Sequence, residues 1–184
     1  MDLTVYFNKR TLVLGDVNAG KTTFCKAILE AMLHEGLAAR IAVIDFAPEI
    51  STTGRDLSNL KGVGGKLLVD DRQEMVWLSD TFVAPRLSSR SEQEALQKAR
   101  DNAAKGLALF KRYREVQRDI LFINDISIFL QSESARRVME LTVSAKTMIA
   151  NGYYGEKLGA GALSLRERKE MESLQGHFDN IIML

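Results

Sequence analysis

Residues Gly15-Asp16-Val17-Asn18-Ala19-Gly20-Lys21-Thr22 match the phosphate-binding pattern G-x-x-x-x-G-K-[ST] at each fixed position. This constrains the fold, because a loop of that kind joins a buried strand to the start of a helix. The flanks agree: Thr11-Leu12-Val13-Leu14 is an apolar run of strand length, and Phe24, Ala27, Ile28, Ala31 and Met32 recur at helical spacing after Lys21. A triphosphate brings several negative charges that only dense, preorganised donors hold. Gly15 and Gly20 admit dihedrals that side chains resist, so the successive N–H groups of Asp16, Val17, Asn18 and Ala19 are expected to form an anion nest at the positive end of a helix dipole. Lys21 would reach the β- and γ-phosphates. Thr22 would offer its hydroxyl to Mg²⁺, which prefers oxygen ligands, and Thr23 extends the binding set into the first helical turn. ATP and Mg²⁺ are therefore the expected ligands.

Composition bounds the remainder. The chain has 184 residues, 46% of them hydrophobic and 27% charged, which suits one domain with a full core over 1–184. A net charge of +1 gives no global pull toward nucleic acid or a membrane. The single cysteine, Cys25, forms no intramolecular disulfide and falls on the helix behind the loop, where it reads as a core filler. The sequence shows no apolar run of 18 residues and no charged-then-apolar leader, so the expected compartment is the cytoplasm.

Along the chain, strand-length apolar runs alternate with helical patterns, the signature of βαβ units on a parallel sheet. Expected strands are 11–14, 40–46 (broken by Pro48), 74–79, 120–123, 146–150 and 180–184. A glycine-dotted loop covers 50–71. Ser91 with Glu94 is a capping box for a long helix to about Gln117, with Leu96, Ala99, Ala103 and Phe110 inward. A further helix is expected over 134–144, and Ser164 with Glu167 reads as the cap of the last one. The expected fold is α/β: a three-layer arrangement with a mostly parallel sheet of about six strands and helices on both faces.

Three strand ends carry chemistry. Ile120-Leu121-Phe122-Ile123 runs into Asn124-Asp125, a Walker B pattern in which Asp125 would hold Mg²⁺ or one of its waters, with Asn124 close enough to substitute. Asp45 ends its strand on the edge where open α/β sheets bind ligands, and is read either as an acceptor-orienting carboxylate or as a turn former. Asp80 has the same two readings. Asn151-Gly152 is a turn signal in its own right. Arg86 and Arg90 flank a Ser-rich loop and are read as solvated or as phosphate-binding, and Tyr153-Tyr154 as packing or as a base platform.

The order of these landmarks, phosphate loop, Asp45, Asn124-Asp125 and a late strand ending in Asn151, resembles the P-loop NTPases of the SIMIBI class, which includes dethiobiotin synthetase, MinD-type ATPases and polynucleotide 5′-hydroxyl kinases. The resemblance implies that Asn151 reads the adenine edge. It also implies, from Asp45 with Pro48, an acceptor hydroxyl positioned for phosphoryl transfer, so that Lys21, Asp45 and Asp125 form the catalytic set. The chain departs from the class where a MinD-type second lysine would stand, since Asp16, Val17 and Asn18 occupy that stretch, and it carries no guanine-reading N-K-x-D. Two functions stay open. One is an ATPase or phosphotransferase acting on a polynucleotide 5′-hydroxyl or a small metabolite. The other is an ATP-driven switch, built on the 47–74 loop, that engages a protein partner or a second copy. Neither reading involves a membrane.

Overall fold

A computed structural model describes residues 1–48, 65–70, 74–155, 157–159 and 161–184. The described part of the chain forms a three-layer P-loop NTPase fold. Strand β1 (Arg10–Gly15) leads through the loop into helix α1 (Lys21–His34), and a 3₁₀ turn (Ala38–Arg40) opens β2 (Ile41–Asp45). There follow β3 (Val76–Ser79), a short α2 (Pro85–Ser88), the long α3 (Glu92–Glu115), β4 (Ile120–Asn124), α4 (Ser127–Leu130), α5 (Ala135–Leu141), β5 (Thr147–Tyr153), α6 (Ala162–Gln175) and β6 (Asn180–Met183). The strands lie in the order β3-β2-β4-β5-β1-β6, all parallel. β5 thus separates β1 from β4 and places Asn151 between the phosphate loop and Asn124-Asp125.

Strand period explains the three layers. Leu12, Leu14, Ala42, Ile44, Leu121, Ile123, Met148 and Ala150 face the core shared with α3 to α6. The alternate residues Val13, Ile41, Val43, Ile120, Phe122 and Ile149 face the opposite core with Cys25, Ile28, Leu29 and Met32 of α1. Both sheet faces are covered, which is why the strands read as continuous apolar runs.

Several sequence expectations change in the structure. The Ser91 cap is present, its side chain accepting from Glu94 N, and Ala99, Ala103 and Phe110 are buried as expected. α5 stops at Leu141, short of 144. β5 runs through Asn151 and Gly152, with Asn151 opposite Val13 and Gly152 opposite Leu14, so the turn reading fails: pairing to β1 overrides the local signal. Ser164 and Glu167 lie inside α6, whose N-cap is Gly161, and cap nothing. Of the glycine-dotted loop over 50–71, residues 65–70 are described and the rest, including Gly62 to Gly64, lie outside the described residues.

Candidate functional site

The loop after β1 has the geometry its residues demand. Gly20 sits at φ 89° and Asn18 at φ 63°, both in the left-handed region, which glycine takes freely and asparagine takes more readily than most residues. Gly15 is required for a different reason: a Cβ there would stand 2.7 Å from the Leu184 carbonyl oxygen, where the chain end runs beside β1. Lys21 folds back over the loop, its Nζ donating to Asp16 O at 2.6 Å. Burial holds its ammonium below the usual lysine range, against the opposing pull of Asp125 and Asp16. The Asp16 carboxylate accepts from Val17 N at 2.6 Å, so one loop amide is already partnered by the chain's own anion.

Beneath the loop a ladder of amides and carboxylates crosses the strand ends. Thr22 Oγ1 donates to Asn124 Oδ1 at 3.3 Å, and Asn151 Nδ2 donates to the same oxygen at 2.9 Å. Asn124 Nδ2 donates to Asp45 Oδ1 at 2.7 Å and to Gly65 O at 3.0 Å. Asn151 Oδ1 accepts from Asp125 N at 3.0 Å. Asp125 itself sits at φ 54°, its Oδ1 accepting from Ser127 Oγ at 2.6 Å. Desolvation pushes its carboxyl above the usual range, opposed by Ser127, Lys21 and Arg86.

These contacts decide where the sequence-predicted residues stand. Val17, Asn18, Lys21, Thr22, Asp125 and Asn151 line one cleft, an opening of about 670 Å³ with the solvent at its mouth included. Gly15, Asp16, Ala19 and Gly20 shape the loop from behind, and Thr23 is exposed on the first turn of α1. Asp45 is corrected. It is 2% exposed and does not line the cleft: Oδ1 accepts from Ala47 N and Asn124, and Oδ2 accepts from Leu67 N at 3.0 Å, so the carboxylate is turned to the strand ends and not to an acceptor in the cleft. Its effect on the site runs through Asn124. Asn151 is 1% exposed at the floor of the cleft, with its Oδ1 and its Nδ2 each engaged once inside the ladder. Asp80 is exposed beside Lys105, and Cys25 is buried with its thiol pushed up to about 12.

Sequence reasoning missed the opposite wall. Arg86 on α2 is not solvated. Its Nη2 donates to both oxygens of Glu167 at 3.0 and 2.9 Å, its Nη1 to Glu167 Oε1 and Ser164 Oγ at 3.1 Å, and its guanidinium lies 5.5 Å from the Tyr153 ring centre. Gln131 Nε2 donates to Glu167 Oε2 at 2.7 Å. Burial raises the Glu167 carboxyl to about 7, despite Arg86. The signal was in the sequence as Ser164-x-x-Glu167, a spacing that serves an i, i+3 arginine clamp on a helix face as well as a cap. Arg90 is exposed and Tyr153 packs with its hydroxyl accepting from Leu158 N.

The donors fit a hard dication that arrives with a phosphate. Thr22 and Asp125, both lining the cleft, carry hydroxyl and carboxylate oxygens, and no group of three or more His, Cys, Asp or Glu among the described residues would hold a metal alone. That suits Mg²⁺, which takes one or two protein oxygens and completes its shell with water and substrate phosphate.

No family model matches the chain, and no curated protein matches it. Among solved structures it is similar to the crystal structure of the flagellar accessory protein FlaH from Methanocaldococcus jannaschii, with a TM-score of 0.50, 8% identity, and coverage of 96% of this chain and 71% of that one. At that identity the likeness shows the fold, and with the loop on β1 the fold is that of a P-loop NTPase. No helix among the described residues is long and apolar enough to cross a membrane.

Proposed function

We propose that the chain binds a nucleoside triphosphate, ATP by preference, on residues 15–23 and passes its terminal phosphoryl group to an acceptor held in the cleft. The observation that carries this reading is the convergence on one cleft of Lys21, Thr22 and Asp125, at the end of a loop in which Asn18 and Gly20 take left-handed φ. In the bound state Lys21 exchanges the Asp16 carbonyl for phosphate oxygens, a charge-assisted contact in a partly desolvated site. Thr22 is the residue that would hold Mg²⁺, with Asp125 holding the ion or one of its waters; the ion would supply neutralisation of charge developing between the β- and γ-phosphates. In transfer, the acceptor oxygen bonds the γ-phosphorus and the bond to the β–γ bridging oxygen breaks. The electron pair leaves with the nucleoside diphosphate, and the acceptor's proton passes to the Asp125 carboxylate. Asn151 acts within this reading as a positioning residue, since its amide holds both Asn124 and the Asp125 backbone. The resemblance to the SIMIBI class stands on the landmarks along the chain. The switch reading depends on the 47–74 loop, most of which lies outside the described residues.

Calorimetry and ADP release test the reading. Wild type is expected to bind Mg-ATP, and Lys21→Ala to lose about 100-fold or more in affinity, because charge-assisted hydrogen bonds are worth about 1.5–3 kcal/mol each. Asp125→Asn keeps the left-handed backbone that asparagine tolerates. It is expected to retain binding while ADP release falls about 10²-fold or more. A wild-type protein that bound no nucleotide would overturn the proposal.

A further inference from the structure

The turn after β5 is shared by two clefts. Tyr153 lines both, whereas Arg86, whose guanidinium lies 5.5 Å from its ring centre, lines the cleft that holds Lys21 and Asp125. The second cleft opens between that turn and the start of α6, and holds about 700 Å³ with the solvent at its mouth included. Its wall is of a different kind. Tyr153 and Tyr154 bring two half-buried aromatic side chains to it, and Leu165 stands 62% exposed beside them. An exposed leucine alone is ordinary. One that continues two aromatic side chains inside a concavity makes an apolar wall of the kind small-molecule sites have. The wall is also held in place. Tyr153 pairs with Gly15 across the sheet, and its hydroxyl accepts from Leu158 N at 3.0 Å. Tyr154 N donates to Gly15 O at 3.0 Å, its hydroxyl donates to Glu172 Oε1 at 3.1 Å, and the Arg168 guanidinium lies 5.0 Å from its ring centre. The same turn meets the phosphate loop, since a Cβ on Gly155 would stand 2.6 Å from Asp16 Cγ. A rigid aromatic surface therefore lies directly beside residues 15 and 16.

We infer that the second cleft binds a planar heteroaromatic ring, a nucleobase, laid against Tyr153 and Leu165. Every base has a π face and stacks on an aromatic side chain without a matched set of donors and acceptors. Rings already fixed by their hydrogen bonds lose little freedom when a flat ligand covers them. The base has two sources: the triphosphate held on residues 15–23, or a nucleoside carried by the acceptor. Both assignments of source rest on the reading of residues 15–23 as a triphosphate loop. The cleft as a base site stands on its own wall.

Ligand-observed NMR on the full chain, with adenosine, ribose and tripolyphosphate as probes, tests this. Wild type is expected to bind adenosine and not ribose. Leu165→Gln, at an exposed helical position, is expected to weaken adenosine about fivefold and to leave tripolyphosphate unchanged. Tyr153→Leu is expected to weaken adenosine by about fivefold or more, the effect of one lost stacking contact, and thermal melts report whether that variant folds. Leu165→Gln decides even if it does not. Absence of adenosine binding, equal binding of ribose, unchanged adenosine affinity in Leu165→Gln or in folded Tyr153→Leu, or an equal loss of tripolyphosphate in Leu165→Gln would overturn the inference. A non-hydrolysable ATP analogue with Mg²⁺ then identifies the source. If the cleft takes the base of the triphosphate, the analogue displaces adenosine and tripolyphosphate does not; if it takes an acceptor nucleoside, adenosine binds beside the analogue. Adenosine binding without tripolyphosphate binding sinks the phosphate loop alone, and tripolyphosphate binding without adenosine binding sinks the base site alone.

Discussion

Asn124 holds the site together at the level of single residues, since Thr22, Asn151, Asp45 and the Gly65 carbonyl all meet its one amide. Removing a partner from such a ladder leaves buried groups unpaired. Asn151→Ala strips one of two donors from Asn124 Oδ1, which keeps Thr22, and the acceptor from Asp125 N, and is expected to cost about 1–3 kcal/mol of stability for the one stranded group. The same variant tests its ligand role. A positioning residue should lower affinity for ADP, GDP and free triphosphate alike, whereas an adenine reader should erode the ADP preference over GDP first; competition titrations distinguish these. The phosphate loop was legible in the sequence because its function lies in backbone geometry that Gly20 and Lys21 announce locally. Asp45 was not, since its partners Ala47, Leu67 and Asn124 are set by strand order and loop path. Residue identity at a strand end leaves both open.

At the scale of elements, α3 shows how a sequence pattern and its packing diverge. Ser91 and the inward alanines marked the helix correctly, yet Gly106 inside it has no reading from propensity, which disfavours glycine there by about 1 kcal/mol. The structure supplies the reason. A Cβ at 106 would lie 2.7 Å from Phe129 Cδ2 and 2.9 Å from Phe46 Cε1, within a cluster where Phe46, Phe82, Phe110 and Phe129 have centroids 5.2 to 5.8 Å apart. Overpacking costs about 1–3 kcal/mol against the roughly 1 kcal/mol gained in helix propensity, so Gly106→Ala is expected to destabilise. Urea denaturation should show a lower midpoint at unchanged slope. Adding Phe129→Leu, which makes room, should shrink or reverse the penalty of Gly106→Ala. A penalty that stayed the same would place its origin elsewhere than these rings. The short helices α2 and α4 escaped sequence reading because four residues carry no periodicity, although Pro85 at the start of α2 is a helix-start signal.

Across the whole molecule, the Arg86–Gln131–Glu167 cluster ties α2, α4 and α6 together on one side of the sheet, and it has a pH signature. Glu167 is raised to about 7 in the folded protein by desolvation, against an ordinary value of 4.5. Between these two values the folded state binds more protons than the unfolded chain, so stability falls as pH rises from about 4.5 to about 7 and is level with respect to this group above that. Exposed acids held low by their partners, Glu94 beside Lys98 and Glu140 beside Arg137 and Arg136, act below this window and in the opposite sense. Asp125 is raised by burial too, so the wild-type slope mixes both groups. The comparison with Glu167→Gln isolates one of them. The amide keeps an oxygen for Arg86 and Gln131 but does not titrate. Melting temperatures of wild type and Glu167→Gln, measured in half-unit steps from pH 4.5 to 7.5, should differ by an amount that grows in favour of the variant up to about pH 7 and is then constant. Parallel curves across that range would show that Arg86 holds the carboxylate ionised throughout, and that the clamp is an ordinary buried ion pair.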